Sequence, residues 1–114
     1  MMYQRVIITA ALAGAASFKD NNPAVPYTPE EFAEEAYKAH QAGAAMVHVH
    51  ARRDDGFPTH EIDRIQVTYD AIRAKSPNLI VNLSSAVAMV PRLNNASPRL
   101  YPSNPKWPRS TPTP

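Results

Sequence analysis

The sequence predicts an α/β fold of parallel β-α-β units, and three observations carry that prediction. Short apolar runs recur at Val6-Ile7-Ile8-Thr9, Met46-Val47-His48-Val49-His50 and Leu79-Ile80-Val81-Asn82-Leu83. Two segments with helix start and stop signals lie between them, each with apolar residues at helical spacing. The resulting order, strand-helix-strand-helix-strand, is the signature of parallel β-α-β units, whose crossovers are right-handed in nearly all cases.

The first strand is expected near residues 5–10, where β-branched residues cluster as in a buried strand. Val6 to Ala16 also resembles the apolar region of a leader that ends in small residues. The strand is preferred because the run falls in register with the helix and strand segments after it, and the run is too short for a membrane span. A small, polar loop comes next, with Gly14 and Asp20-Asn21-Asn22-Pro23. The first helix is expected near 29–42. Thr28 can cap it, Pro29 fits the first helical position, and Glu31 completes a capping box. Phe32, Ala36 and Ala39 then share a face, and Gly43 ends the helix.

The second strand is expected near 46–51, followed by a turn at Asp54-Asp55-Gly56 with Pro58. The second helix is expected near 60–75, with Ile62, Ile65, Tyr69 and Ile72 on its buried face and a stop at Lys75-Ser76-Pro77. The third strand is expected near 79–84. After Val90 the periodicity ends. Seven of the 12 prolines lie beyond residue 90, so residues 1–90 read as the folded unit and 91–114 as an irregular, proline-rich tail.

Charge divides at the same place. Residues 1–90 hold all ten acids against eight Lys and Arg, whereas Arg92, Arg99, Lys106 and Arg109 stand in the tail with no acid. Residues 1–90 therefore net −2 and the tail +4, which together give the net charge of +2, and the tail's scattered basic residues form no clustered patch for a nucleic acid. There are no cysteines, which excludes disulfides and Cys-based zinc sites and fits a cytoplasmic protein. With three glycines and no glycine-rich phosphate motif, a nucleotide-binding loop is not expected.

His48 and His50 are the main chemical signal. On a strand, residues i and i+2 point to the same face, so the two imidazoles can chelate one zinc-class ion at about 2.0–2.1 Å. They also lie at the C-terminal end of a strand, where parallel α/β folds build their sites. The alternative is two partly buried structural histidines. Arg52 continues the alternation from His50 and could bind a substrate carboxylate if the strand persists. Arg53 reads as a solvated ion-pair partner, and His40 and His60 as surface residues. Asn82 and Ser84 close the third strand at i and i+2, suited to substrate hydrogen bonding or to satisfying loop backbone. Thr9, at the end of the first strand, has the same two readings.

These residues resemble the β-keto acid cleavage enzymes, also called 3-keto-5-aminohexanoate cleavage proteins. The likeness runs through Val6-Ile7-Ile8-Thr9-Ala10-Ala11-Leu12-Ala13-Gly14-Ala15 and the segment from Asn22-Pro23 to Pro26-Tyr27-Thr28-Pro29-Glu30-Glu31. It continues through Ala42-Gly43-Ala44-Ala45-Met46-Val47-His48-Val49-His50-Ala51-Arg52, Asp54-Asp55-Gly56-Phe57-Pro58 and Leu79-Ile80-Val81-Asn82-Leu83-Ser84-Ser85. The resemblance implies the N-terminal portion of a (β/α)8 TIM barrel that uses a divalent metal, usually zinc. It implies conversion of a β-keto acid and acetyl-CoA into acetoacetate and a new CoA thioester, with no nucleic-acid or membrane partner and with homo-oligomeric full-length relatives. His48 and His50 match the family's two metal-ligating histidines and Ser84 a substrate-contacting serine. A third ligand, a glutamate, and an acid–base aspartate and arginine are expected on later strands.

Two departures qualify the match. Members acting on amino-bearing substrates tend to carry a glutamate after the first-loop Gly-Ala, where this chain has Ala16, which implies a substrate without an ammonium group. Beyond Ser85 the family's glycine-containing loop and helix give way to Ala86-Val87-Ala88-Met89-Val90-Pro91, as a shifted reading frame or a truncated gene would produce. The chain is therefore expected to be an enzyme fragment, inactive alone. The alternative from another class is a non-catalytic metal-binding fragment with no activity of its own. Metal-dependent hydrolases also use His-x-His, but usually on the first strand rather than the second.

Overall fold

A computed structural model describes residues 4–86, and the tail expected at 91–114 lies outside the described residues. The element order is β1 (Thr9–Ala13), α1 (Pro29–Gln41), β2 (Met46–Val49), α2 (Ile62–Lys75) and β3 (Ile80–Leu83). The strands form one sheet in the order β1-β2-β3, with both pairings parallel. The three parallel strands and two helices expected from the sequence are therefore present.

α1 forms where its start signals place it. The Thr28 side chain accepts from the Glu31 backbone N–H, and the Glu31 carboxylate returns to the Thr28 backbone, so two otherwise unmet helix-end donors are satisfied. Glu31 also accepts from the Tyr27 N–H at 2.7 Å. That bond, with Lys19 and the Thr28 N–H, holds the Glu31 carboxyl below the ordinary carboxylate range, against partial desolvation. Gly43, just past the helix, takes φ +113°, a conformation that suits a residue without Cβ.

Both helices pack together and cover one face of the sheet. Ala13, Val25, Phe32, Ala36, Val47, Val49, Ile72 and Leu79 make the core between them. Burying Phe32 and Ile72 completely stabilises the fold by about 1.5–3 kcal/mol each. Alternation on β2 decides the faces: Val47 and Val49 are fully buried against the helices, while Met46 and His48 turn the other way. On that second face Thr9, Ala11, Ile80 and Asn82 are exposed, and no helix among the described residues covers it.

Two expectations are corrected. β1 begins at Thr9 rather than near residue 5, and Val6, Ile7 and Ile8 are exposed. Strands are set by their partners: β2 begins at Met46, which stands opposite Thr9, so residues before Ile8 have no strand alongside among the described residues. The buried face of α2 is also rotated. Ile62 is 79% exposed, and the fully buried positions are Thr68 and Ile72, with Ile65 and Tyr69 half-buried. Thr68 tolerates burial because its hydroxyl donates to the Arg64 carbonyl one turn back. No helix among the described residues is long and apolar enough to cross a membrane.

Candidate functional site

The uncovered face carries the histidine pair. His48 is on β2 and His50 immediately follows it, and period two sends both side chains to the same side. Their Nε2 atoms lie 3.2 Å apart, with ring centroids at 5.0 Å and ring planes crossed at 76°. Two ring nitrogens this close either share a hydrogen or offer two lone pairs to one cation.

The other nitrogen of each ring is already engaged. His48 Nδ1 lies 2.9 Å from Asn82 Oδ1, and His50 Nδ1 lies 3.0 Å from the Ala86 carbonyl. A carbonyl oxygen only accepts, so these two contacts are hydrogen bonds in the tautomer with the hydrogen on Nδ1, which leaves each Nε2 to face the other. The arrangement follows from the β2–β3 register, which pairs Met46 with Ile80, Val47 with Val81, His48 with Asn82 and Val49 with Leu83. The ladder continues to Ser84, whose N–H donates to the Val49 carbonyl. Ser84 Oγ accepts from the Ala86 N–H at 3.2 Å and steadies the turn that brings the Ala86 carbonyl to His50.

Thr9 and Arg52 fall elsewhere than expected. Thr9 opens β1 instead of closing it. It pairs with Met46, whereas Ala11 stands level with His48, so Thr9 lies toward the N-terminal edge of the same face. The strand expected to carry Arg52 stops at Val49. Arg52 instead forms an isolated bridge with Pro58, and its side chain is fully buried. Its guanidinium donates to the carbonyls of Gly56 at 2.7 Å, Ser17 at 2.8 Å and Gly14. It also stacks near the rings of Phe18 and Tyr27. Burial pushes the guanidinium below its ordinary value. Arg52 thus ties the loop after β1 to the loop after β2 and is enclosed rather than presented to a ligand.

Sequence patterns did not single out the remaining parts of that tie. Arg64, from α2, donates to the carbonyls of Arg52 and Tyr27 and pairs with Asp54 at 2.9 Å. The Tyr27 hydroxyl accepts from the Lys19 N–H at 2.7 Å. Gly56 takes φ +88°, and a Cβ there would run into the Tyr27 ring. The Asp-Gly turn was the one available signal, and it marks the bend but not the ring that packs on it. His40 Nδ1 meets the Ala44 carbonyl at 2.9 Å, so that histidine serves the end of α1. Ala16 is exposed in the loop after β1.

Two imidazoles on one open face, each with Nε2 turned inward, suit a divalent ion such as zinc. Among the described residues no third His, Asp or Glu joins them in a metal-holding group.

Comparison with known proteins finds one family. A family model described as beta-keto acid cleavage enzyme matches residues 5–106. The chain is 48% identical over 88 residues to a 3-keto-5-aminohexanoate cleavage enzyme of Fusobacterium nucleatum, a match covering 77% of this chain and 32% of that protein. It is 44% identical over 86 residues to the enzyme of the same name from Acetoanaerobium sticklandii, over 75% of this chain and 32% of the relative. It is 40% identical over 84 residues to a 3-oxoadipate:acetyl-CoA acetyltransferase of Cupriavidus necator, over 74% of this chain and 30% of the relative. The chain thus spans about a third of the length of these curated relatives.

Proposed function

The chain belongs to the beta-keto acid cleavage enzyme family, and we propose that it forms the metal-binding portion of an enzyme converting a β-keto acid and acetyl-CoA into acetoacetate and a new CoA thioester. The observation that carries this proposal is the approach of His48 and His50, Nε2 to Nε2, on the face that no helix among the described residues covers. In this account residues 1–90 are the first units of a (β/α)8 barrel whose helices lie outside, and the open face turns inward. The pair then sits at the C-terminal end of β2, where barrel enzymes place their chemistry.

Zinc or another divalent ion held by His48 and His50 would supply Lewis-acid polarisation of a substrate ketone oxygen. The chain's own residues contribute contacts and support around the ion. Ser84, beside the pair on the β3 side, offers a hydroxyl to the substrate. Thr9 lies farther along the same face and is a peripheral contact. Arg52 holds the two loops that border the site. The remaining metal ligand and the acid–base groups come from strands that lie in the other two thirds of the relatives' length, so this chain alone is proposed to be catalytically silent. The lack of a third ligand among the described residues also favours the plainer alternative, a metal-binding fragment with no activity of its own.

A chimera separates the two. Residues 5–86 would replace the matching segment of the 3-oxoadipate relative, and CoA thioester formation would be followed with β-keto acids bearing and lacking an amino group. The enzyme account expects turnover that His48→Ala or His50→Ala abolishes, with a preference for acids lacking the amino group because of Ala16. A folded chimera with no turnover, or one indifferent to both histidine substitutions, would leave only the non-catalytic alternative.

A further inference from the structure

We infer that Asn82 is a positioning residue for His48, fixing its tautomer. The inference rests on the proposed metal role of the histidine pair, and it is carried by two independent features of the structure. The first is register: Asn82 is the residue of β3 paired with His48 of β2, so the ladder itself sets the carboxamide beside the ring. The second is direction: Asn82 Oδ1 is 2.9 Å from His48 Nδ1, the nitrogen turned away from His50.

An acceptor at Nδ1 selects the tautomer that carries its hydrogen there and leaves the Nε2 lone pair available. His50 receives the same treatment from the Ala86 carbonyl, which can act only as an acceptor. The two rings are therefore set in matching states by different means, a side chain for one and backbone for the other. Metal-binding histidines generally hold the other ring N–H on such an acceptor, and losing it typically costs about 10–100-fold in metal affinity. A carboxamide does this without adding charge. One lone pair of the Asn82 oxygen is engaged by His48, so the carboxamide is oriented by the ring, with its second lone pair and its NH2 group left for any further partner.

The test uses the full chain and two readouts. Nitrogen-15 NMR of the imidazoles, recorded without metal and with the rings neutral, reports each tautomer. Zinc titration by calorimetry reports affinity. Wild type is expected to show Nδ1–H on both histidines. Asn82→Ala should release His48 into a tautomer mixture, leave His50 unchanged, and weaken zinc by about 10–100-fold. Asn82→Asp, which keeps an acceptor in place, should retain the His48 tautomer and controls for folding. If His48 keeps its Nδ1 hydrogen in Asn82→Ala, or if zinc affinity is unchanged there, Asn82 does not position the ring. Absence of zinc binding by the wild type would remove the metal proposal alone, because the metal-free tautomer still decides whether Asn82 sets His48.

Discussion

Arg52 donates to three carbonyls on two loops, those of Gly14 and Ser17 after β1 and that of Gly56 after β2. Its Nε is buried with no partner among the described residues, so the residue is tolerated for what its other nitrogens join. Arg52→Met would keep much of the apolar bulk and leave the three carbonyls without that donor. A loss of about 3 kcal/mol is expected, read as a lowered urea midpoint at unchanged slope. Arg52→Lys should recover only part of it, because an ammonium cannot reproduce the planar fork. A stability change of less than about 0.5 kcal/mol for Arg52→Met would refute the tie. At this scale the sequence was uneven in what it disclosed. His48, Asn82, His50 and Ser84 could be grouped because Val47-His48-Val49-His50 and Val81-Asn82-Leu83-Ser84 share one alternating pattern. Arg52 departs from the expected alternation because β2 stops at Val49 and Arg52 bridges Pro58 instead, neither of which composition reveals.

The helix signals were legible because capping is local chemistry. Thr28, Pro29 and Glu31 act within one turn, and the structure places each as expected. Thr28→Ala should destabilise the chain by about 1 kcal/mol. Glu31 adds a pH dependence whose sign follows from its lowered folded value. Its contribution is complete above the ordinary carboxylate range of the unfolded chain and is lost as pH falls through the depressed folded value. The stability gap between wild type and Glu31→Gln, measured by urea unfolding, should therefore shrink between pH 7 and about pH 3; a gap that widens toward acid would contradict the assignment. The strand limits and the buried face of α2 were less legible. Val6-Ile7-Ile8 has the composition of a strand, but pairing requires a neighbour, and β2 supplies one only from Met46 onward. Ile62 fits the apolar period, yet Thr68 occupies the core because an internal hydrogen bond satisfies its hydroxyl.

Across the whole molecule the described sheet has helices on one face, an open face opposite, and edges at β1 and β3. Parallel sheets are normally covered on both faces, and Ile80 and Leu83 are exposed here. Together with a length about a third of its relatives', this supports the proposal that the chain is one portion of a larger barrel. Incubated alone with acetyl-CoA, zinc and a series of β-keto acids, the chain should release no new CoA thioester. Turnover abolished by either histidine substitution would instead indicate that self-association completes a site. The central claim, that His48 and His50 together hold the metal, is tested most directly by X-ray absorption at the zinc edge on the zinc-loaded chain and on the His48→Ala/His50→Ala double variant. The account predicts two imidazole nitrogens at about 2.0–2.1 Å, with the rest of the coordination supplied by oxygen, and loss of the imidazole signature in the variant. A zinc spectrum lacking imidazole scattering, or one identical in the two proteins, would contradict it.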